Sequence, residues 1–230
     1  MRNSPRSVMV FAAGFGTRMG AMTKDRPKPL IEVAGRALID HTLDLISETD
    51  AETVVVNLHY KSDMLRTHLA GRGVVFADEQ PDILETGGGL KAALPLLGEA
   101  PVYSMNSDAV WRGPNPLLHL AQFWDPDRMD ALLLCVPWPH AVGHLGDGDF
   151  LSDSEGRLSR GPGEVFSGLQ IVKPACVRAV DKRVFSLNEV WTEAEARGRL
   201  FGASYPGRWA DVGHPDGIAL AKAMLGADYV

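Results

Sequence analysis

Near the start of the chain, residues 7–19 have the sequence SVMVFAAGFGTRM. Its first part is a short apolar run that ends in glycines, a pattern typical of a buried β-strand followed by a tight turn. Two glycines directly after a strand let backbone N–H groups approach an anion closely. The stretch therefore predicts a first strand over 7–12 with an anion-binding turn behind it.

Two cations follow this turn and favour phosphate as the anion. Arg18 comes two residues after Gly16, and Lys28 stands in the sequence Arg-Pro-Lys-Pro-Leu at 26–30. Arginine binds phosphate oxygens through paired hydrogen bonds, lysine supplies a point charge, and the flanking prolines fix the backbone of the lysine. A glycine-rich turn with solvated charges is the structural alternative.

Two common nucleotide-binding motifs fit this segment poorly. Gly14 and Gly16 begin a dinucleotide-binding fingerprint, but Met19 occupies its third glycine position and the prolines at 27 and 29 interrupt the long helix that should follow. A Walker loop requires Gly-Lys-Ser/Thr, which the chain lacks.

Charge is distributed unevenly along the 230 residues. The chain carries 23 Lys+Arg and 29 Asp+Glu, yet residues 1–36 hold seven basic and two acidic side chains. A basic patch on an acidic body suits small anionic molecules and argues against nucleic acid as a partner. No apolar run approaches the roughly 20 residues of a membrane helix, so no membrane partner is expected. The two cysteines form no disulfide framework, which predicts a cytoplasmic protein.

Strands and helices alternate along the chain, which predicts an α/β fold with a mostly parallel, mixed central sheet flanked by helices on both faces. The predicted strands cover 7–12, 53–58, 73–77, 101–105, 131–136, 164–173 and 200–205, and the predicted helices cover 61–70, 87–97, 116–124, 188–197 and 215–225, with another after Gly35. Residues 137–163 predict loops with one hairpin. Ligands of such sheets bind at the carboxyl ends of the strands, so we expect the site in 13–29, 78–89 and 106–112.

Two aspartates and a glycine cluster complete the candidate residues. Asp108 follows a predicted strand, and with Asp211 it would form a hard-oxygen site for Mg²⁺ that phosphates and waters complete; a turn or helix cap is the alternative role for such an Asp. The sequence Gly87-Gly88-Gly89 would let the backbone lie against a flat base, with a plain helix N-terminus as the alternative.

Five motifs then carry a family resemblance. They are Ala12–Met19 with Pro27–Leu30, Leu84–Gly89, Asn106–Asp108, Phe166–Gly168 and Trp209–Gly213. In these motifs, and over roughly residues 7–226, the chain resembles the sugar-phosphate nucleotidyltransferases. The resemblance implies the nucleotide-diphospho-sugar transferase type of fold.

The resemblance also implies roles for individual residues. Arg18 and Lys28 would be catalytic, Arg18 holding the triphosphate and Lys28 contacting the phosphates, and Asp108 and Asp211 would bind Mg²⁺. The implied nucleotide-binding residues are Ala12, Ala13, Gly14, Gly16, Thr17, Glu85, Gly87, Gly88 and Asn106, and the implied sugar-binding residues are Asp149, Ser167 and Gly168. We expect a single domain over 1–230, with a nucleotide-binding half at 1–112 and a sugar-binding half at 113–230.

Within the family, the likeness is greatest to enzymes of peptidoglycan recycling that transfer a uridylyl group from UTP to N-acetylmuramic acid 1-phosphate. Two alternatives remain: a mannose- or glucose-1-phosphate nucleotidyltransferase using GTP or dTTP, and a non-catalytic module that binds sugar nucleotides. The chain departs from many relatives at Ser107, where they have glycine, and modest backbone strain is expected there. It also lacks their Glu-Lys-Pro turn between 138 and 165.

Overall fold

The computed structural model describes residues 5–226, so the ends of the predicted domain, 1–4 and 227–230, lie outside the described residues. The strands are β1 (Ser7–Phe11), β2 (Glu32–Val33), β3 (Arg36–Ala37), β4 (Thr53–Leu58), β5 (Val75–Asp78), β6 (Val102–Asn106), β7 (Ala109–Arg112), β8 (Ala131–Val136), β9 (Ala141–Val142), β10 (Phe150–Ser152), β11 (Leu158–Arg160), β12 (Val165–Val172), β13 (Leu200–Ser204) and β14 (Arg208–Asp211). The α-helices are α1 (Leu38–Ser47), α2 (Ser62–His68), α3 (Glu85–Leu97), α4 (Pro116–Ala121), α5 (Pro174–Arg178), α6 (Asn188–Ala196) and α7 (Pro215–Gly226).

A seven-stranded sheet in the order β13-β8-β12-β6-β1-β4-β5 forms the centre of the molecule. β1 pairs in parallel with β4 and β6, and the pairs β4–β5 and β8–β13 are also parallel. β12 alone runs antiparallel to its neighbours β6 and β8. The prediction of a mostly parallel, mixed sheet is therefore confirmed.

Helices cover both faces of this sheet because its strands are apolar on both sides. In β1, Val8 and Val10 belong to one buried cluster and Met9 to the other, since successive side chains of a strand point to opposite faces. Helices α1, α2 and α4 contribute to the first cluster, whereas α3, α5 and α6 contribute to the second. Burial of each such side chain contributes about 1.5–3 kcal/mol.

A second, three-stranded sheet in the order β7-β14-β9 lies beside the first and was not predicted from the sequence. β7 follows β6 after only two residues, and its antiparallel register pairs Ala109 with Asp211. Helix α7 packs on this sheet through Ala221 and Met224, in a third apolar cluster that includes Val110 and Ala210. This small sheet brings the end of the chain back to the end of β6.

Other predicted elements agree with the structure in type and differ at their ends. α3 begins at Glu85 rather than Gly87, and β10 and β11 form the one hairpin expected in 137–163. Within residues 5–226, none of the helices has the length and apolarity needed to cross a membrane.

Candidate active site

A cavity of about 280 Å³ opens at the carboxyl ends of β1, β4 and β6. The cavity lies at the carboxyl ends of the parallel strands, as predicted, and it is lined by segments at the ends of three of these strands. The predicted site residues in its lining are Ala12, Ala13, Gly14, Gly16, Thr17, Arg18, Lys28, Glu85, Asn106 and Asp108. One cavity thus collects both predicted catalytic residues and most of the predicted nucleotide-binding residues.

The turn after β1 requires glycine at position 16. Gly16 has a φ of 65°, in the left-handed region that side chains disfavour. A Cβ there would also lie 2.9 Å from the Cβ of Lys28 and 2.9 Å from the Cγ2 of Thr23. The Thr23 hydroxyl donates to the Gly16 carbonyl at 3.1 Å, and the Met19 N–H donates to it at 2.9 Å. Gly16 therefore allows the turn to pack closely against Lys28.

Lys28 forms an ion pair with Asp108 in the floor of the cavity. Its Nζ lies 2.6 Å from Asp108 Oδ2, and the side chains are 11% and 27% exposed respectively. The neighbouring Ser107 hydroxyl donates to the Phe11 carbonyl at 2.6 Å, which joins the end of β6 to the end of β1. The expected strain at Ser107 is absent, because its φ is not positive and its hydroxyl gains a backbone partner.

Asp211 lies beside Asp108 because β14 pairs with β7. The Val212 N–H donates to the Asp108 carbonyl at 3.0 Å, so the ends of the two strands are directly linked. Burial raises the pKa of Asp211, and the charge of Asp108 raises this pKa further, while Lys28 and Arg18 act in the opposite direction. A cation bound beside Asp211 would lower this pKa, as Lys28 and Arg18 already do.

The two carboxylates suit a hard divalent cation such as Mg²⁺, which takes oxygen ligands and often uses one or two carboxylates plus substrate phosphates. No group of three or more His, Cys, Asp or Glu side chains with metal-binding geometry occurs among residues 5–226. Asp108 and Asp211 alone would leave most coordination positions for phosphate and water oxygens. This donor set fits a metal that binds together with its substrate.

The glycine cluster at the start of α3 packs against protein. The N–H groups of Gly87 and Gly88 both donate to the Phe185 carbonyl, at 2.9 and 3.0 Å. A Cβ on Gly87 would lie 2.4 Å from the Phe185 ring, and one on Gly88 would lie 2.3 Å from the Arg183 carbonyl oxygen. The structure therefore does not bring Gly87 or Gly88 into the cavity lining, although Glu85 and Thr86 next to them do line it.

Glu85 adopts a backbone conformation that is unusual for its residue type. Its φ is 59°, in the left-handed region, and its side chain is exposed where the residue lines the cavity. Such conformations cost a non-glycine residue about 1–2 kcal/mol and are concentrated at functional sites. Hydrogen bonds on both sides of Glu85 maintain this backbone conformation. The Phe185 N–H donates to the Leu84 carbonyl at 3.3 Å, and the Leu187 N–H donates to the Thr86 hydroxyl oxygen at 3.1 Å.

The predicted sugar-binding residues lie outside the cavity lining: Ser167 and Gly168 are on β12, and Asp149 directly precedes β10. Gly168 has a φ of 84°, and a Cβ there would lie 2.7 Å from Asn106 Nδ2. The hydroxyl of Ser167, which is 2% exposed, donates to the Leu134 carbonyl at 2.7 Å. Asp149 Oδ2 accepts a hydrogen bond from the Phe166 N–H at 2.9 Å. The side chains of Ser167 and Asp149 thus bind the protein backbone, and Gly168 provides a close approach to Asn106.

Two polar residues of the lining, Asn57 and Glu79, were missed by the sequence analysis. Both are buried, at 3% and 2% exposure. The sequence contains a signal for each. Asn57 is the one polar residue among residues 54–58, at the carboxyl end of a predicted strand. Glu79 lies in the segment 78–89, where the ligand site was expected. Other lining residues not singled out include Ile83 and Thr86.

Comparison with known proteins agrees with this geometry. The model of the MobA-like NTP transferase domain matches residues 8–167. This chain belongs to that family. The family match covers β1, the glycine turn, Lys28 and Asp108, and it confirms the nucleotidyltransferase resemblance of the sequence motifs.

Relatives and structures with similar folds add detail to the MobA-like assignment. The chain is 40% identical to an N-acetylmuramate alpha-1-phosphate uridylyltransferase of Caulobacter vibrioides, over 98% of this chain and 99% of that protein. It is 31% identical to the protein of the same name from Neisseria meningitidis, over 95% and 98% of the two chains. A crystal structure of a putative glucose-1-phosphate thymidylyltransferase from Bacillus anthracis has the same fold, with a TM-score of 0.78, 16% identity, and coverage of 97% of this chain and 96% of that one.

Proposed function

We propose that this MobA-like transferase moves a uridylyl group from UTP to N-acetylmuramic acid 1-phosphate, giving the UDP-sugar and pyrophosphate. The observation that carries the proposal is the Lys28–Asp108 ion pair in the cavity lining, next to the glycine turn, with Asp211 at the end of β14 beside it and outside the lining. The names of the two full-length relatives supply the substrates. We place the reaction in the cytoplasm, as part of peptidoglycan recycling, and the two unpaired cysteines fit this compartment.

The chemistry requires positive charge more than covalent catalysis. A phosphate oxygen of the acceptor attacks the α-phosphorus of the nucleotide, the bond to the bridging oxygen breaks, and pyrophosphate leaves in line. Negative charge grows on the bridging and departing oxygens, so preorganised cations lower the barrier. Arg18 holds the triphosphate at the exposed side of the cavity, and Lys28 meets the phosphates from its buried floor. The ion pair with Asp108 orients Lys28 before substrate binds.

Asp108 and Asp211 would hold Mg²⁺ in this reaction. When bound, the ion supplies charge that offsets the phosphates and fixes their orientation. The pairing of β14 with β7, which brings Asp211 next to Asp108, supports the assignment; burial raises the pKa of Asp211, and the charge of Asp108 raises it further. The ammonium group of Lys28 offsets one of the two carboxylate charges, and the bound cation would offset the other.

The two substrates divide the site along the chain. Every cavity-lining residue except Gly213 lies within 1–112, which supports nucleotide binding by that half. The backbone N–H groups of the turn at 13–17 face the phosphates, and Glu85 binds a donor group of the nucleoside. The acceptor sugar binds beside Gly168 of the half 113–230, where this residue approaches Asn106 of the nucleotide-binding half. Because Ser167 and Asp149 are engaged with the backbone, they shape this side by holding β12 in place.

A pyrophosphate-release screen distinguishes this proposal from the alternatives. UTP, dTTP, CTP, GTP and ATP are crossed with the 1-phosphates of N-acetylmuramic acid, N-acetylglucosamine, glucose and mannose, in the presence of Mg²⁺. The proposal expects the highest kcat/KM for UTP with N-acetylmuramic acid 1-phosphate. A preference for GTP or dTTP with mannose or glucose 1-phosphate would replace the substrates and keep the chemistry. No turnover with any pair, together with nucleotide-sugar binding, would favour a non-catalytic module.

A further inference from the structure

A buried chain of hydrogen bonds joins the two walls of the cavity. The Ala12 N–H donates to Asn57 Oδ1 at 2.7 Å, Asn57 Nδ2 donates to Glu79 Oε1 at 2.6 Å, and the Leu84 N–H donates to Glu79 Oε2 at 2.7 Å. Ala12 begins the phosphate-binding turn, and Leu84 directly precedes the strained Glu85. These hydrogen bonds therefore connect one ligand-facing wall to the other through the side chains of Asn57 and Glu79.

The direction of every hydrogen bond in this chain is fixed by its ends. The backbone N–H groups of Ala12 and Leu84 can only donate. Asn57 must therefore present its oxygen to Ala12 and its NH₂ group to Glu79, and Glu79 must accept on both oxygens. A glutamine at position 79 would direct its NH₂ group at either Asn57 Nδ2 or the Leu84 N–H, which leaves two buried donors facing each other.

Helix α3 holds the two side chains in place. A Cβ on Gly89 would lie 2.5 Å from Glu79 Oε1 and 3.1 Å from Asn57 Nδ2. The third glycine of the cluster thus allows the helix to contact this pair directly. Both residues line the cavity, but the protein's own groups use Asn57 Oδ1 and both carboxylate oxygens of Glu79.

We propose that Asn57 and Glu79 are positioning residues that set the spacing between the phosphate-binding turn and the Glu85 turn, and thereby the affinity for nucleotide. They act through the backbone of Ala12 and Leu84. The inference rests on the proposed function, because it takes these two walls to be the ones that bind the nucleotide.

An exchange of the two functional groups tests this inference. Glu79→Gln and Asn57→Asp each break the donor–acceptor order and so change the spacing of the two walls. We expect each to raise the Kd for UTP about tenfold, the change that loss of one hydrogen bond to the nucleotide would produce. The double variant restores the order: the new carboxylate at 57 accepts from Ala12 and from the new amide, whose oxygen accepts from Leu84. We expect its Kd to return to within about threefold of wild type.

The measurement is calorimetric titration with UTP, at a temperature where circular dichroism shows each variant folded. Ser104→Ala is the matched control, because it removes the acceptor of the Gln170 Nε2 hydrogen bond (2.9 Å) at a buried site outside the cavity lining. It should lower the melting temperature and leave the Kd unchanged.

Either of two results would overturn the inference: unchanged affinity in both single variants, or a folded double variant that binds as weakly as the singles. If the single variants do not fold, the double variant still decides, since it must fold and bind UTP. Failure of the wild-type protein to bind any nucleoside triphosphate would instead refute the proposed function.

Discussion

Substitution of Glu85 by glycine should make the protein more stable and less active. The left-handed backbone at Glu85 (φ 59°) costs about 1–2 kcal/mol, and glycine removes this cost. The greater freedom of glycine in the unfolded chain offsets about 0.4–1 kcal/mol of the gain. A net gain of about 0.5–1 kcal/mol corresponds to a rise in melting temperature of about 1–4 °C for a chain of this length.

The loss of activity should come from the carboxylate. A hydrogen bond from a ligand donor to a charged group contributes about 1.5–3 kcal/mol, so kcat/KM should fall about ten- to hundredfold. Glu85→Gln separates the two effects, because it keeps the strained backbone and removes the charge. We expect it to lose activity without gaining stability.

Ala34→Gly is the matched control for this prediction. Ala34 also has a left-handed backbone, with a φ of 52°, but it is exposed between β2 and β3 and is absent from the cavity lining. The melting temperature of the Ala34→Gly variant should rise by a similar amount, and its kcat/KM should be unchanged. The assays are differential scanning fluorimetry and pyrophosphate release. A Glu85→Gly variant with wild-type kcat/KM would show that the strained residue has no role in ligand binding.

Three further predictions concern the carboxylate pair and helix α3, which begins at Glu85. Asp211→Asn should nearly abolish turnover yet raise the melting temperature of the metal-free protein at neutral pH, because it removes a half-buried charge next to Asp108. Lost stability together with retained activity would refute the metal role. The pKa of Asp211 is raised in the folded state, so the stabilisation by Asp211→Asn should depend on pH. It should be absent at acid pH, where the carboxyl is protonated in the folded and unfolded states, and should develop as the pH rises through the ordinary and then the raised pKa. Thermal melts of the wild type and the variant from pH 3 to 8 measure this dependence. Gly87→Ala should lower stability by about 1–3 kcal/mol because its Cβ would lie 2.4 Å from the Phe185 ring, as urea unfolding would reveal, and an unchanged midpoint would show that the ring moves freely.

The sequence predicted the central sheet well because its strands are apolar runs between clear turn residues. Thr53–Leu58 and Ala131–Val136 occupy the predicted bounds in full, since β-branched or fully apolar runs of this length have few other stable placements. The position of the cavity followed from the same pattern, because parallel strands direct their carboxyl ends to one edge. Residues placed by a strand end, such as Arg18 and Asp108, were therefore predictable.

Features that depend on long-range pairing were not predictable. β7 and β14 are four-residue strands of mixed polarity, and each is a strand because it pairs with the other. The paired residues Arg112 and Arg208 are 96 positions apart in the sequence, so no local pattern predicts the pairing. Gly87 and Gly88 illustrate the opposite case: a glycine pattern indicates close approach, but the sequence does not say whether a base or the Phe185 segment approaches. Likewise, Ser167 and Asp149 bind backbone groups of distant segments, next to the register shift between β12 and β8, and the sequence pattern shows none of these partners.

The fate of the α-phosphorus tests the central claim most directly. Wild-type protein is mixed with Mg²⁺, N-acetylmuramic acid 1-phosphate and UTP labelled with ³²P at the α-phosphate, and the products are separated by thin-layer chromatography. Nucleotidyl transfer predicts that the label moves into a phosphatase-resistant UDP-sugar while unlabelled pyrophosphate is released in equal amount. Label recovered only in UTP, or in UMP without a sugar product, would contradict the account.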